Sequence, residues 1–139
     1  MFQLQRLQIL VIMTALTLPL CALTVSAAVV DDIITRYQQQ GASAPQAENG
    51  KQLWTKTYTS NQKPRQRGCT SCHTENLRAT GKHIKTGKPI DPLAPSVNKE
   101  RLTDTKKIEK WFKRNCKWTL GRECSVQEKA DVLSYLRSQ

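Results

Sequence analysis

A Cys-x-x-Cys-His pentapeptide, running from Cys69 to His73, constrains this chain more than any other stretch. Two thiols three residues apart lie on neighbouring positions of one helical turn, so each can add to one vinyl group of a haem and form a thioether. The adjoining His73 can then present a ring nitrogen to the iron as an axial ligand. The motif therefore predicts one covalently attached haem c per chain, held by Cys69, Cys72 and His73.

Cysteine pairs of this spacing also occur in dithiol redox sites and in zinc sites. A dithiol site is disfavoured because no thioredoxin-like alternation of strands and helices surrounds the pair. A zinc site is disfavoured because Cys116 and Cys124 lie far along the chain and have no histidine near them. Haem attachment is the preferred interpretation.

Residues 1–27 have the pattern of a secretory signal peptide: one charge, Arg6, followed by a largely apolar run. Small residues precede the predicted cleavage point, which is after Ala27, with Ala28 as the alternative. An uncleaved anchor is less favoured, because a membrane span needs about 20 apolar residues. Lipidation of Cys21 is disfavoured because the residue before it is a bulky leucine.

Cleavage would leave residues 28–139 as one small haem-containing domain, which we expect to be a periplasmic monomer. Covalent haem attachment of this type belongs to compartments outside the cytoplasm, in agreement with the signal peptide. A chain this short buries a modest core. A large apolar haem would supply much of the missing core.

Helical periodicity predicts an all-α domain of about four helices, which we expect to wrap around the haem. The expected helices cover 31–40, 43–58, 104–115 and a final stretch from 125 onward. Candidate N-caps are Ser43, Thr103 or Asp104, and Ser125, the last forming a capping box with Glu128.

Three further features of the sequence predict how these helices are connected. Gly50, one turn before Trp54, would let the last helix cross the second closely. Residues 59–68 are polar and basic and are expected to form a loop. Residues 74–102 are rich in glycine and proline and are expected to wrap the haem irregularly. The third helix has an apolar stripe of Ile108, Trp111 and Phe112, which Asn115 continues.

The sixth coordination position of the iron separates electron carriers from ligand binders. The methionine usual in carriers is excluded, because Met1 and Met13 lie in the predicted signal peptide. His83 is the stronger ligand chemically, but it follows His73 so soon that an exposed loop position is the simpler interpretation. Asn115 has enough chain before it to reach the opposite face, although it could instead cap the end of its helix. A lysine, water or no ligand also remain open from the residues alone.

The chain has five cysteines, of which Cys21 lies in the predicted signal peptide and two belong to the haem motif. The remaining two, Cys116 and Cys124, are expected to form a disulfide in an oxidising compartment. Closing this nine-residue loop would stabilise the fold by about 2.5 kcal/mol on the chain-entropy estimate. The bridge would also fix the helix end that carries Asn115.

Most of the chain from residue 31 to 139 resembles the sphaeroides haem protein family, which consists of unusual class I cytochromes c that bind oxygen. The most specific match is Asn115-Cys116 followed eight residues later by Cys124. The other matching runs, besides the haem motif, are 86–90, 92–96, 109–111, 114–116, 121–124 and 128–131.

The resemblance implies that His73 is the proximal ligand, that Asn115 is the distal ligand and that Cys116 is bonded to Cys124. It also implies a reduced, five-coordinate iron that takes up oxygen, nitric oxide or carbon monoxide. A dihaem cytochrome c or a membrane cytochrome b is the implied redox partner. It gives no role to His83.

The formal net charge of +11 favours an acidic redox partner, since most of the lysines and arginines lie between Lys51 and Lys117. Solubility alone is the competing explanation of this charge, and export disfavours nucleic acid. We therefore expect an exported monohaem cytochrome c that transfers electrons and, when reduced, releases Asn115 to bind a diatomic molecule. The alternative is a plain electron carrier with a permanently six-coordinate haem. Terminal oxidase-like turnover of oxygen, nitric oxide or peroxide is left open.

Overall fold

The protein is described by a computed structural model that covers residues 25–60 and 63–139. Its helices are α1 (Val25–Gln39), α2 (Ala47–Thr55), α3 (Thr70–His73), α4 (Thr105–Thr119) and α5 (Val126–Arg137). Two small antiparallel pairs join them, β1 (Tyr58–Ser60) with β2 (Lys63–Arg67) and β3 (Gly81–Lys82) with β4 (Pro89–Ile90). This helix-rich architecture confirms the predicted all-α class, and the helix beyond the four expected is α3, which contains most of the haem motif.

Helix α1 is described from Val25, so the predicted start at residue 31 was wrong. The buried face extends further toward the N-terminus than expected, because Ser26 and Val30 lie on the same side as Ile33 and Tyr37. The predicted cleavage points after residues 27 and 28 fall in the first turn of this helix, and cleavage stays a prediction. Residues 1–24, with Arg6 and Cys21, lie outside the described residues.

Helix α2 begins at Ala47, three residues later than a cap at Ser43 predicts, and Ser43 does not cap it. The backbone N–H of Ser43 donates to Gln127 Oε1 at 2.7 Å, and that of Gln46 donates to Asp131 Oδ1 at 2.7 Å. These bonds to α5 side chains keep the preceding segment out of the helix. The predicted loop at 59–68 was also wrong, because β1 and β2 occupy most of it.

The predicted close crossing of α2 and α5 is confirmed at Gly50. A Cβ atom at this position would lie 2.1 Å from the carbonyl oxygen of Asp131 and 2.9 Å from Tyr135 Cβ. Only a residue without a side chain permits this approach. The crossing brings Trp54 of α2 into the core beside α5.

Both predicted caps of the last two helices are confirmed. Asp104 accepts a hydrogen bond from the N–H of Lys107 at 3.0 Å, and Ser125 forms the reciprocal capping box with Glu128. The predicted end of α4 at Asn115 was wrong. Helical hydrogen bonding continues through the N–H of Leu120, and the chain turns only at Gly121, where φ is +75°.

Two buried clusters form the core, and Leu102 and Phe112 pack against both. The first joins α1, α4 and α5 through Val30, Ile33, Ile34, Tyr37, Ile108, Ala130 and Leu133. The second lies beside the haem motif and comprises Trp54, Leu77, Ala94, Val132, Tyr135 and Leu136. Within the described ranges, no helix combines the length and apolar character that a membrane crossing requires.

Candidate haem site

The haem motif lies on α3, a single helical turn that is set by hydrogen bonds to its own residues. The N–H of Gly68 donates to Ser71 Oγ at 3.0 Å, and the N–H of His73 donates to the carbonyl of Cys69 at 3.0 Å. Thr74 then leaves the helix with a φ of +65°. The turn places the free, half-buried thiols of Cys69 and Cys72 next to His73.

The backbone of α3 is held from two sides. The ring of Trp54 lies 5.6 Å from the His73 ring, centroid to centroid, and its Nε1 donates to the carbonyl of Thr74 at 3.3 Å. On the other side Gly81 approaches so closely that a Cβ there would lie 2.2 Å from the carbonyl oxygen of Cys72. The motif is therefore packed between α2 and β3.

The site keeps its potential ligands uncharged. Burial, with a smaller contribution from Arg101, lowers the pKa of His73 to about 4, so its imidazole is neutral at physiological pH. Burial raises the pKa of Cys69 to about 11, with Cys72 adding to the effect. A neutral imidazole retains the lone pair that an iron ligand needs. No group in the described parts of the chain hydrogen-bonds the His73 ring.

Asn115 lies in the C-terminal half of α4 and is half-buried. Its backbone carbonyl accepts a hydrogen bond from Thr119 Oγ1 at 2.8 Å, whereas its side-chain amide has no partner among the described residues. The alternative that Asn115 caps the helix end is wrong, because α4 continues to Thr119. The side chain is thus presented from a helix interior position.

Trp111, Asn115 and Trp118 recur at helical spacing along α4, and we call this side of the helix the Asn115 face. The sequence predicted Trp111 in the buried stripe, but this residue is 48% exposed because Ile108 and Phe112 occupy the buried side. The Asn115 face therefore presents a large apolar ring beside an unpartnered amide. Such a surface suits a large apolar cofactor, so the residues present fit a haem.

The C-terminal end of α4 is anchored by a disulfide. Cys116 is bonded to Cys124 with an S–S length of 1.99 Å and a Cα–Cα distance of 5.5 Å. The turn that follows is reinforced by an ion pair between Lys117 and Glu123 at 3.1 Å. The structure thus contains the bridge that the sequence predicted next to Asn115.

His83 lies outside this constellation. It is exposed in the turn between β3 and β4, where its Nδ1 accepts a hydrogen bond from the N–H of Thr86 at 3.2 Å. Its backbone N–H donates to the carbonyl of Lys88 at 2.8 Å. This is the exposed loop position that the sequence favoured for it.

Sequence reasoning missed one contact that connects the haem motif to α4. The guanidinium of Arg67, two residues before Cys69, lies 4.6 Å from the centre of the Trp118 ring, three residues after Asn115. A basic residue in an expected loop gives no sign of such a long-range partner. The pairing of β2 with β1 is what places Arg67 within reach of Trp118.

The zinc-site alternative for the cysteine pair requires further ligands close to it. No group of three or more histidine, cysteine or acidic side chains in the described ranges could hold a metal ion. Cys116 and Cys124 form a disulfide with each other and are therefore not free to bind a metal ion. The described residues therefore supply no four-ligand set of the kind that structural zinc sites use.

Comparison with known proteins finds a matching family and similar c-type cytochromes. Residues 40–136 match a family described as a domain of unknown function, DUF1924. The chain is 40% identical over 107 residues to the cytochrome c-type protein SHP of Cereibacter sphaeroides, which covers 77% of this chain and 81% of that protein. This chain belongs to the sphaeroides haem protein family. It is also 41% identical over 96 residues to cytochrome c'' of Methylophilus methylotrophus, covering 69% of this chain and 66% of that one.

Solved structures of the same two relatives share the fold. Oxidised SHP, an oxygen-binding cytochrome c, superposes with a TM-score of 0.70 at 37% identity and covers 79% of this chain and 96% of its own. Oxidised cytochrome c'' gives a TM-score of 0.71 at 35% identity, covering 81% of this chain and 95% of its own. A solution structure of cytochrome c'' addresses haem-ligand detachment in that protein.

As a member of the sphaeroides haem protein family, this chain is a monohaem c-type cytochrome with a covalently attached haem c and its iron. The predicted cofactor and the predicted family are confirmed. The individual roles of Cys69, Cys72, His73 and Asn115 stay predictions, with which the site geometry is compatible.

Proposed function

We propose that this cytochrome transfers electrons outside the cytoplasm and that reduction opens its haem to a small diatomic molecule such as oxygen or nitric oxide. Cys69 and Cys72 would hold the haem covalently, and His73 would remain a ligand of its iron in both oxidation states. Asn115 would bind the oxidised iron through its amide oxygen and would leave it on reduction. When bound, the haem would supply a redox-active iron for these side chains to hold.

The unpartnered amide of Asn115 is the observation that carries this proposal. Asn115 is half-buried in the C-terminal half of α4, and no hydrogen bond among the described residues occupies its side-chain amide, so the amide oxygen is free to accept a ligand. Asn115 lies beside an exposed indole ring on a helix end that the Cys116–Cys124 disulfide anchors. The absence of methionine after residue 13 removes the usual competitor.

The chemistry of the amide explains why it would let go. A neutral amide oxygen is a hard and weak ligand, which suits ferric iron better than the softer ferrous ion. Asn115 would therefore dissociate on reduction, while the imidazole of His73 remains. The released amide stays on α4 and is able to donate a hydrogen bond to a diatomic molecule that enters. One side chain would then both gate the site and stabilise its ligand.

The relatives support the same behaviour from outside this chain. SHP is an oxygen-binding cytochrome c, and cytochrome c'' undergoes haem-ligand detachment. Both properties are expected of a sixth ligand that can be displaced. A permanently six-coordinate carrier would need a stronger ligand, and the exposed position of His83 disfavours it for that role.

Electron delivery would come from an acidic partner, for which the family implies a dihaem cytochrome c or a membrane cytochrome b. The outer side of α4 carries the exposed side chains of Lys106, Lys107, Lys110 and Lys113. This positive charge on α4, the helix that carries Asn115, would steer a negatively charged partner toward the haem site. The rate of reduction by such a partner should fall as salt is added, and a rate that is independent of salt would contradict this part of the proposal.

Two matched variants of the haem-loaded protein test the ligand assignment. Asn115→Ala should convert the oxidised protein from six-coordinate to five-coordinate or water-bound iron, seen in its optical and electron paramagnetic resonance spectra. His83→Ala should leave both spectra unchanged. If His83→Ala alters the spectra and Asn115→Ala does not, the protein is a plain electron carrier and the proposal is wrong.

A further inference from the structure

We propose that the contact between Arg67 and Trp118 positions Asn115 as a ligand by fastening α4 to the segment that holds the haem. Arg67 and Trp118 are positioning residues in this inference, which rests on the proposed function of Asn115. Neither residue needs to touch the iron. They determine where the helix that carries the ligand lies relative to the attachment point.

The first step of the argument is the place of Arg67 in the chain. It pairs with Tyr58 across the β1–β2 hairpin, so its backbone position is fixed by the sheet. Gly68 follows and packs against the carbonyl oxygen of Lys56, where a Cβ would come within 2.9 Å. Cys69 comes next. The path from Arg67 to the first haem thiol is therefore short and held at both ends.

The second step is the place of Trp118. It follows Asn115 by three residues on a continuous helix, so the two side chains share the Asn115 face. Thr119 Oγ1 donates to the carbonyl of Asn115 at 2.8 Å and closes the same turn. The position of the Trp118 ring therefore determines the position of Asn115, because one rigid turn of helix connects them.

The third step is that this contact differs from its counterparts. Four cation–π contacts occur among the described residues, and only that of Arg67, at 4.6 Å, joins the attachment segment to α4. Arg114 lies 5.0 Å from the Trp111 ring but belongs to the same helix. The disulfide of Cys116 ties α4 to the turn before α5 and leaves its distance from α3 unset.

A weak ligand makes such positioning consequential. The apparent affinity of a neutral amide for the iron depends on how well the protein already holds the amide oxygen at bonding distance. A side chain that is held in place loses less conformational entropy when it binds. Loss of the Arg67 contact should let the end of α4 move and should weaken ligation by Asn115. A ligand added from solution would then compete more successfully for the oxidised iron.

The experiment compares Arg67→Ala with Arg114→Ala in the oxidised haem-loaded protein and uses cyanide as the competing ligand. Each variant loses one arginine charge and one arginine–tryptophan contact, so Arg114→Ala is the matched control. Arg67→Ala should raise the affinity for cyanide by about 3- to 10-fold, the range open to a partly shielded cation–π contact. Arg67→Lys should give an intermediate value, and Arg114→Ala should match the wild type.

A second background separates this inference from the ligand assignment. In Asn115→Ala, where no amide competes, adding Arg67→Ala should leave the cyanide affinity unchanged. Equal effects of Arg67→Ala and Arg114→Ala, or an Arg67 effect that persists without Asn115, would overturn the positioning role alone. If Asn115→Ala itself changes neither spectrum nor cyanide affinity, the ligand assignment fails and this inference fails with it. Trp118→Phe keeps an aromatic ring in place and should raise the cyanide affinity by less than Arg67→Ala does. It serves as a second variant in case Arg67→Ala does not fold.

Discussion

Replacing Gly50 by alanine should destabilise the protein, although helix propensity alone predicts the opposite. Alanine in place of glycine favours an isolated helix by about 1 kcal/mol. Here the new Cβ would lie 2.1 Å from the carbonyl oxygen of Asp131, a backbone atom that cannot rotate away. Overpacking costs about 1–3 kcal/mol, and a backbone clash belongs at the upper end. The net loss should be about 2 kcal/mol.

Thermal unfolding of the haem-loaded protein, followed by circular dichroism, measures this loss. A Tm lower by about 8 °C is expected for a domain of this size. Asn49→Ala is the control, because this neighbour on α2 is exposed and its replacement should leave Tm unchanged or slightly higher. A Gly50→Ala protein as stable as Asn49→Ala would refute the close crossing. The same variant should also perturb His73, since the separation of α2 from α5 moves Trp54 away from its ring.

Two further predictions concern the end of α4 and the start of α5. Replacing Cys116 and Cys124 together by serine should lower the unfolding free energy, measured by denaturant titration, by about 2.5 kcal/mol. The same change should increase the high-spin fraction of the oxidised protein. Unchanged values of both would show that the disulfide does not anchor the end of α4. Hydrogen bonding to Arg122 is the main cause that lowers the pKa of Glu128. A carboxylate whose pKa is lower in the folded state stabilises the fold at pH values above its unfolded pKa. This stabilisation is lost as the pH falls through the folded pKa. The unfolding free energy of Glu128→Gln should therefore depend less on pH in the acidic range than that of the wild type.

Local signals in the sequence predicted the elements that local interactions determine. The capping box at Ser125 and Glu128 involves residues three apart, and it formed as expected. The close crossing at Gly50 also followed from the sequence, because a glycine one turn before a buried tryptophan leaves one obvious site for a neighbouring helix. The haem motif needed only its own five residues.

The features that the sequence did not predict depend on distant partners. Helix α2 starts late because the N–H groups of Ser43 and Gln46 bond side chains of α5, more than 80 residues away. The β1–β2 pair has no alternating apolar pattern, so its polar residues resembled a loop. Trp111 was expected in the core because a helical stripe does not reveal which of two adjacent faces meets the other helices.

The optical spectrum of the reduced haem-loaded protein, with and without carbon monoxide, tests the central claim most directly. The account predicts that the oxidised protein is six-coordinate and that reduction gives a high-spin, five-coordinate iron, because Asn115 releases it while His73 stays bound. Carbon monoxide should then bind rapidly. A reduced protein that stays low-spin and does not react with carbon monoxide would contradict the account, since a strong sixth ligand would still be in place.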